Sequence, residues 1–191
     1  MEVKRDKKEF RKEALKKRDG LLEGYILRAS LLIEDKICKA VLSKNLSCIG
    51  LYASYRSEVR TDGLIKKLLA MDKRLCLPRS LKENELPILK FYQIKDTETD
   101  IISGYKGIGE PDPKRCKEVL KEEMDMIIVP GVCFGKDRSR MGYGAGFYDR
   151  YLMDFSGEKV GISFEEMVYD SIPFDERDIP LQAVVTEERT Y

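Results

Sequence analysis

The chain of 191 residues contains no histidine. This absence excludes every mechanism that needs an imidazole, including Ser-His-Asp triads and zinc sites with histidine ligands. Any chemistry in this protein must instead use carboxylates, lysines, arginines, tyrosines, backbone amides or a hard metal ion bound by oxygen atoms.

Cysteine is scarce and irregularly spaced. The five cysteines are odd in number, lie far apart and form no CxxC pair, which favours reduced thiols in a cytosolic protein over a disulfide framework or a zinc knuckle. The sequence also lacks an apolar run long enough to span a membrane, and its N-terminus is charged from Glu2 onward, unlike a secretory signal. We therefore expect a cytoplasmic protein with no membrane partner.

No excess of one charge sign is present. Lysine and arginine total 35 and aspartate and glutamate total 34, which argues against a globally basic protein that binds nucleic acid, although local basic patches remain possible. The sequence shows no internal repeat, low-complexity tract or linker. At this length one domain buries roughly 70% of its unfolded surface and needs no staple, so we predict a single domain over residues 1–191 and a monomer.

Helical and apolar segments alternate along the chain. Apolar residues at spacings of three and four predict a helix over about 21–43, whereas short apolar runs such as "SCIGLYA" predict buried strands. The predicted helices are 3–18, 21–43, 61–71, 114–123 and 146–154; the predicted strands are 47–53, 74–80, 86–94, 124–134, 159–164 and 183–187; and 95–115 is predicted as loop. This order predicts an α/β fold, a three-layer α/β/α domain with a mostly parallel central sheet.

One segment, "RMGYGAGFYD" (140–149), places three alternate glycines between an arginine and an aspartate. It is not a dinucleotide fingerprint, since Phe147 replaces the required glycine, and the preceding "GVCFGKD" is one residue short of a Walker A loop. Glycines let backbone amides approach an anion, Arg140 can clamp a phosphate, and Asp149 can hold Mg²⁺. The alternative is an ordinary turn in which Arg140 and Asp149 are solvated or paired with each other.

The segment "PGVCFGKDRSRMGYGAGFYDRYL" (130–152) resembles the signature of the 5-formyltetrahydrofolate cyclo-ligase (5,10-methenyltetrahydrofolate synthetase) family. The resemblance extends over nearly the whole chain, through Lys7 and Arg11, "YASYRSEVRT" (52–61), "IPFDERD" (172–178) and the closing "AVVTEE". It implies an enzyme that uses ATP and Mg²⁺ to convert 5-formyltetrahydrofolate into 5,10-methenyltetrahydrofolate, ADP and phosphate. In that reaction the formyl oxygen attacks the γ-phosphate, and the neighbouring folate nitrogen then closes the ring.

The resemblance also implies roles for individual residues. The catalytic residues would be Arg140 and Lys7, and the metal ligands would be Asp149 and Asp178. The folate-binding residues would be Ala53, Tyr55, Glu58, Tyr143 and Phe147. The ATP-binding residues would be Lys7, Arg11, Arg140, Met141, Gly142, Tyr143, Gly144, Ala145, Gly146, Phe147 and Tyr148.

Two departures from the family pattern bear on these roles. Ala145 stands where family members often have glycine or lysine, so no catalytic side chain is assigned there. Gln182 stands where many members have aspartate, which puts a second carboxylate near Asp178 in doubt. We expect both Arg140 and Asp149 to lie outside the core.

Two other functions remain open from the residues alone. The first is an ATP-dependent kinase or ligase that acts on another small molecule and shares the phosphate site. The second is an RNA-binding module built on the N-terminal helix, where residues 1–18 contain nine basic and four acidic side chains; it would show a steep salt dependence.

Overall fold

The computed structural model describes residues 6–104 and 107–191. The predicted start of the first helix, residues 3–5, lies outside the described residues. The helices are α1 (Lys7–Asp19), α2 (Glu23–Ser43), α3 (Asp62–Ala70) and α4 (Phe147–Leu152). The strands are β1 (Cys48–Gly50), β2 (Arg74–Glu83), β3 (Leu86–Ile94), β4 (Ile101–Ser103), β5 (Gly109–Pro111), β6 (Lys117–Val119), β7 (Met126–Val129), β8 (Cys133–Gly135), β9 (Arg140–Met141), β10 (Glu158–Ile162), β11 (Val168–Tyr169) and β12 (Ala183–Val185).

Seven strands form the central sheet in the order β12-β10-β7-β1-β2-β3-β6. The five strands from β12 to β2 run parallel, and β3 and β6 add antiparallel to that edge. The prediction of an α/β fold with a mostly parallel central sheet is confirmed.

Alternate side chains of β7 point to opposite faces of this sheet, as the two-residue repeat of a strand requires. Met126 and Ile128 join a core that includes residues of α1, α2 and α3. Ile127 and Val129 join a second core with Leu152 of α4. The sheet is therefore covered on both faces; among the described residues the six-residue helix α4 covers the second face together with loop residues such as Phe155 and Leu181.

Three local predictions are wrong. Residues 114–123 do not form an α-helix, because Cys116 and Val119 are buried while 117–119 pair with β3 as an edge strand. The predicted loop 95–115 contains the β4–β5 hairpin. The predicted strand 124–134 is two strands, β7 and β8, interrupted at Pro130, which has no backbone N–H to continue a ladder. Strand β8 belongs to a separate three-stranded sheet, β11-β8-β9.

The strand order reverses direction between β1 and β7. From β1 the chain passes through α3 to β2 on one side, whereas β7 leads to β10 and β12 on the other. Open α/β sheets hold ligands beyond the carboxyl ends of the strands at such a switch point. We therefore expect a ligand site at the loops after β1 and β7.

Candidate active site

The glycine segment, residues 142–146, connects β9 to α4 near this switch point. Gly144 and Gly146 have φ angles of 98° and 71°, in the left-handed region that other residues adopt at a cost. Gly142 is not left-handed; it is needed for space, because a Cβ there would lie 2.8 Å from Nη1 of Arg140. The expected approach of backbone amides to an anion stays a prediction; in the structure Gly142 and Gly144 lie beside the guanidinium groups of Arg140 and Arg11.

Arg140 lies beneath the segment, with only 3% of its side chain exposed. Its Nη2 donates to Oδ1 of Asp149 at 2.5 Å, and its Nη1 donates to the carbonyl of Pro130 at 3.2 Å. The expectation that Arg140 lies outside the core is therefore wrong, because β9 pairs with β8 and carries Arg140 inward. The alternative in which Arg140 and Asp149 pair with each other describes this ligand-free contact.

Two buried polar atoms beside this pair have no hydrogen-bond partner among the described residues. They are Nε of Arg140 and the hydroxyl of Tyr148, whose ring centroid lies 5.9 Å from the guanidinium carbon. Most buried polar groups in proteins have a partner. An unused guanidinium donor and an unused hydroxyl next to a glycine segment suit an oxyanion.

The loop after β1 presents Glu58, which is 5% exposed. The loop is held by Thr61, whose hydroxyl accepts from the backbone N–H of Ser54 at 2.9 Å and donates to the carbonyl of Tyr52 at 2.8 Å. The backbone N–H of Tyr55 donates to Oε2 of Glu58 at 2.8 Å. Burial raises the pKa of Glu58, while the hydroxyl of Tyr143 and the charge of Arg18 act in the opposite direction.

Tyr143 connects the glycine segment to this loop. Its hydroxyl donates to Oε1 of Glu58 at 2.6 Å and accepts from Nη2 of Arg18 at 2.5 Å. Glu58, which is predicted to bind folate, is therefore in direct contact with the segment that is predicted to bind ATP.

Arg18, at the end of α1, is a site residue that the sequence analysis missed. It is 3% exposed, and besides Tyr143 it donates to the carbonyl of Gly131 at 2.8 Å and to the hydroxyl of Ser57 at 3.2 Å. The signal that could have found it is the helical repeat: Arg18 follows the buried Ala14 by four residues and Phe10 by eight, so it lies on the buried face of α1. Its partners lie 39 to 125 residues away.

Two other cations of α1, Arg11 and Lys7, also bond to groups elsewhere in the chain. Nε of Arg11 donates to the carbonyl of Gly142 at 2.8 Å, and a Cβ on Gly144 would lie 3.2 Å from Nη1 of Arg11. Nζ of Lys7 bonds to Asp178 and, at 3.1 Å, to Oδ2 of Asp175. Backbone and lysine contacts lower the pKa of Asp175 to about 2.

The two predicted metal ligands do not share a partner within the described residues. Asp149 pairs with Arg140, whereas Asp178 pairs with Lys7 and accepts from the backbone N–H of Asp175 at 2.8 Å. In the same residues no group of three or more His, Cys, Asp or Glu side chains is arranged to hold a metal ion.

No helix among the described residues is long and apolar enough to cross a membrane.

The remaining predicted residues differ in burial and in position. Ala53 lies near β5, where a Cβ on Gly109 would come within 3.8 Å of it. Ala145 is exposed, Met141 is buried, and Tyr55 and Phe147 are half-buried. Of these, Met141 belongs to the core and supports the segment from below.

The sequence and the fold match known proteins. The model of the 5-formyltetrahydrofolate cyclo-ligase family matches residues 3–187. A Schizosaccharomyces pombe protein named probable 5-formyltetrahydrofolate cyclo-ligase is 30% identical over 190 residues, covering 89% of this chain and 90% of its own. A Caenorhabditis elegans protein of the same name is 27% identical, covering 99% of this chain and 95% of its own.

A solved structure shares the fold. The NMR structure of Aquifex aeolicus 5,10-methenyltetrahydrofolate synthetase superposes with a TM-score of 0.84 at 32% identity, covering 96% of this chain and 91% of that one. The family match spans the glycine segment, the Glu58 loop and α1 together. This chain belongs to the 5-formyltetrahydrofolate cyclo-ligase family.

Proposed function

We propose that the protein, as a single domain, catalyses the ATP- and Mg²⁺-dependent cyclisation of 5-formyltetrahydrofolate to 5,10-methenyltetrahydrofolate, with release of ADP and phosphate. The observation that carries the proposal is the contact between two half-sites at the switch point. One is the glycine segment above the unpartnered Nε of Arg140. The other is the buried carboxylate of Glu58, which Tyr143 connects to it.

The chemistry suits a chain without histidine. The formyl oxygen attacks the γ-phosphorus and displaces ADP; the adjacent folate nitrogen then attacks the activated formyl carbon, and the C–O bond breaks as phosphate departs with the proton of that nitrogen. Phosphoryl transfer depends mainly on positioning and on neutralising charge. Arg140 offers a buried, preorganised N–H donor, and Arg11 has two terminal nitrogens without partners among the described residues.

Glu58 supports the folate half of the proposal. An ionised carboxylate has about four acceptor positions, and two of those on Glu58 are taken by Tyr55 and Tyr143. The N–H groups of a pterin ring suit this carboxylate, both at the remaining positions and at the one that Tyr143 occupies. The rings of Tyr55, Tyr143 and Phe147 would pack on that ring.

The residues present fit a magnesium ion in donor type. Asp149 and Asp178 each have one carboxylate oxygen engaged by a cation of the chain, and in the described residues the other oxygen of each has no partner. Oxygen donors of this kind are those that Mg²⁺ prefers. When bound, the ion would neutralise phosphate charge. Lys7, proposed to contact phosphate, must exchange its bond to Asp178 for one to the nucleotide.

The basic side chains of α1 do not decide against an RNA-binding module. Lys7, Arg11 and Arg18 bond to groups of this chain, whereas Lys8, Lys12 and Lys16 are exposed, so a test of salt-dependent RNA binding is what separates the two functions.

A direct assay tests the proposal. Purified protein is mixed with 5-formyltetrahydrofolate, ATP and Mg²⁺, and the absorbance of the methenyl product is followed. We expect product to form only when ATP is present. If folded protein formed no product, the proposal would be wrong; consumption of ATP with another small molecule would then favour a different kinase or ligase.

A further inference from the structure

The carboxylate of Glu58 is buried, with 5% of the residue exposed to solvent. The cavity beside it has a volume of about 10 Å³ and is lined by Glu58, Arg18, Tyr52 and residues after β7 and β10. A cavity of this size holds about one water molecule. A substrate with a ring system cannot reach the carboxylate in this conformation.

The hydroxyl of Tyr143 covers one oxygen of the Glu58 carboxylate, although Tyr143 does not line this cavity. It donates to Oε1 of Glu58 at 2.6 Å while 45% of the tyrosine remains exposed to solvent. Arg18 holds it there: Nη2 donates to the same hydroxyl at 2.5 Å, and the guanidinium carbon lies 5.5 Å from the ring centroid.

The backbone around Tyr143 is suited to movement. The residue stands between Gly142 and Gly144, and Gly144 already has a φ of 98°. Glycines accept large changes of backbone angle at little cost. Tyr143 can therefore leave Glu58 without unpairing β9 from β8.

We propose that Tyr143 is a gate over Glu58, held closed by Arg18, and that the ring of the folate substrate enters only when the tyrosine hydroxyl leaves the carboxylate. The inference rests on the proposed function, because Glu58 is taken as the acceptor for the substrate. An N–H donor of the ring replaces the phenol on Oε1, so the carboxylate never stays buried without a donor. Arg18 keeps its bonds to Gly131 and Ser57 while the gate opens.

The gate and a direct contact between the Tyr143 hydroxyl and the substrate predict opposite changes in folate affinity for Tyr143→Phe. Tyr143→Phe keeps the ring but removes the bond that must break, so the dissociation constant for 5-formyltetrahydrofolate should fall about three- to tenfold, with faster association. If the hydroxyl instead touched the substrate, the same variant would bind more weakly.

Tyr25→Phe is the matched control. Tyr25 also donates its hydroxyl to a carboxylate, that of Glu187, and it lies on α2 outside the site. The measurement is stopped-flow and calorimetric binding of 5-formyltetrahydrofolate at pH 8, with a non-hydrolysable ATP analogue bound in a separate titration. We expect Tyr25→Phe to bind both 5-formyltetrahydrofolate and the ATP analogue as the wild type does.

Each outcome assigns a cause. Tighter and faster folate binding by Tyr143→Phe alone supports the gate. Weaker or unchanged folate binding in that variant overturns the gate, and the proposed function stands if the wild type still forms product. Wild-type protein that binds the ATP analogue but no folate overturns the proposed function and the gate with it.

Discussion

Replacing Arg140 with alanine should both destabilise the protein and stop turnover. The guanidinium is 3% exposed, donates to Asp149 at 2.5 Å and also bonds the carbonyl of Pro130. Its removal leaves a carboxylate and a carbonyl without their donors and opens a cavity under the glycine segment. The loss is therefore structural as well as chemical.

The magnitude follows from the burial of the pair. Removing one partner of a buried ion pair costs about 3–5 kcal/mol. Water reaches the side chain of Asp149, which is 22% exposed, so the lower end, about 3 kcal/mol, is expected. For a chain of this length that corresponds to a fall in Tm of roughly 6–12 °C.

The assay is urea unfolding followed by far-ultraviolet circular dichroism, with Arg150→Ala as the matched control. Arg150 lies on α4, next to Asp149, but is exposed. Among the described residues it donates to the carbonyl of Ala145 alone, at 3.4 Å. Its removal should change stability by less than about 0.5 kcal/mol. Equal unfolding midpoints for the two variants would refute the reasoning. At a temperature where Arg140→Ala is folded, turnover should still fall by about 10²-fold or more, since a preorganised charge donor is lost.

Three further predictions concern the same site. Gly144→Ala should raise the KM for ATP roughly tenfold, because a left-handed alanine is strained by about 1–2 kcal/mol and its Cβ would lie 3.2 Å from Nη1 of Arg11; Gly24→Ala, with no atom within 4 Å of its Cβ, should leave kinetics unchanged. Glu58→Gln should raise the KM for 5-formyltetrahydrofolate. Because burial raises the pKa of Glu58, wild-type kcat/KM should fall on acidification at a higher pH than an ordinary glutamate would give, and that limb should vanish in Glu58→Gln. Chelation with EDTA should stop turnover without changing the circular dichroism spectrum, and activity in excess EDTA would contradict the proposed magnesium requirement.

The sequence predicts an element correctly where the spacing of its apolar residues matches the face that the element buries. The alternating run at 86–94 predicts β3 with the bounds that the structure shows, and the spacing at three and four residues predicts α2 to within two residues. The prediction failed at 114–123, where lysines and glutamates favour a helix. There Val119 pairs with Phe91 at the sheet edge, and burial against β3 outweighs the local preference.

The motif predicted which residues lie around the site but not how they pair. Arg140 and Asp149 are nine residues apart, and the sequence left solvation, mutual pairing and ligand binding open. Only the pairing of β9 with β8 shows that Arg140 is buried. The helical repeat places Arg18 on the face of Phe10 and Ala14, but its partners could not be predicted, because Ser57, Gly131 and Tyr143 meet it only after the sheet has formed.

The pairing of charges in the ligand-free site explains how it can be both buried and ready for an anion. Arg140 is neutralised by Asp149, Lys7 by Asp178, and Arg18 faces Glu58 through Tyr143. An unpaired buried charge is costly; Arg140 and Lys7 each have a carboxylate partner, whereas Arg11, also proposed to contact the nucleotide, bonds to the carbonyl of Gly142. MgATP, the proposed co-substrate, contains both negative and positive charge. Its phosphates would bond to the cations, and Asp149 and Asp178 would hold its metal ion. Such an exchange leaves no charge unpaired, whereas phosphate without metal would displace two carboxylates that then have no cation.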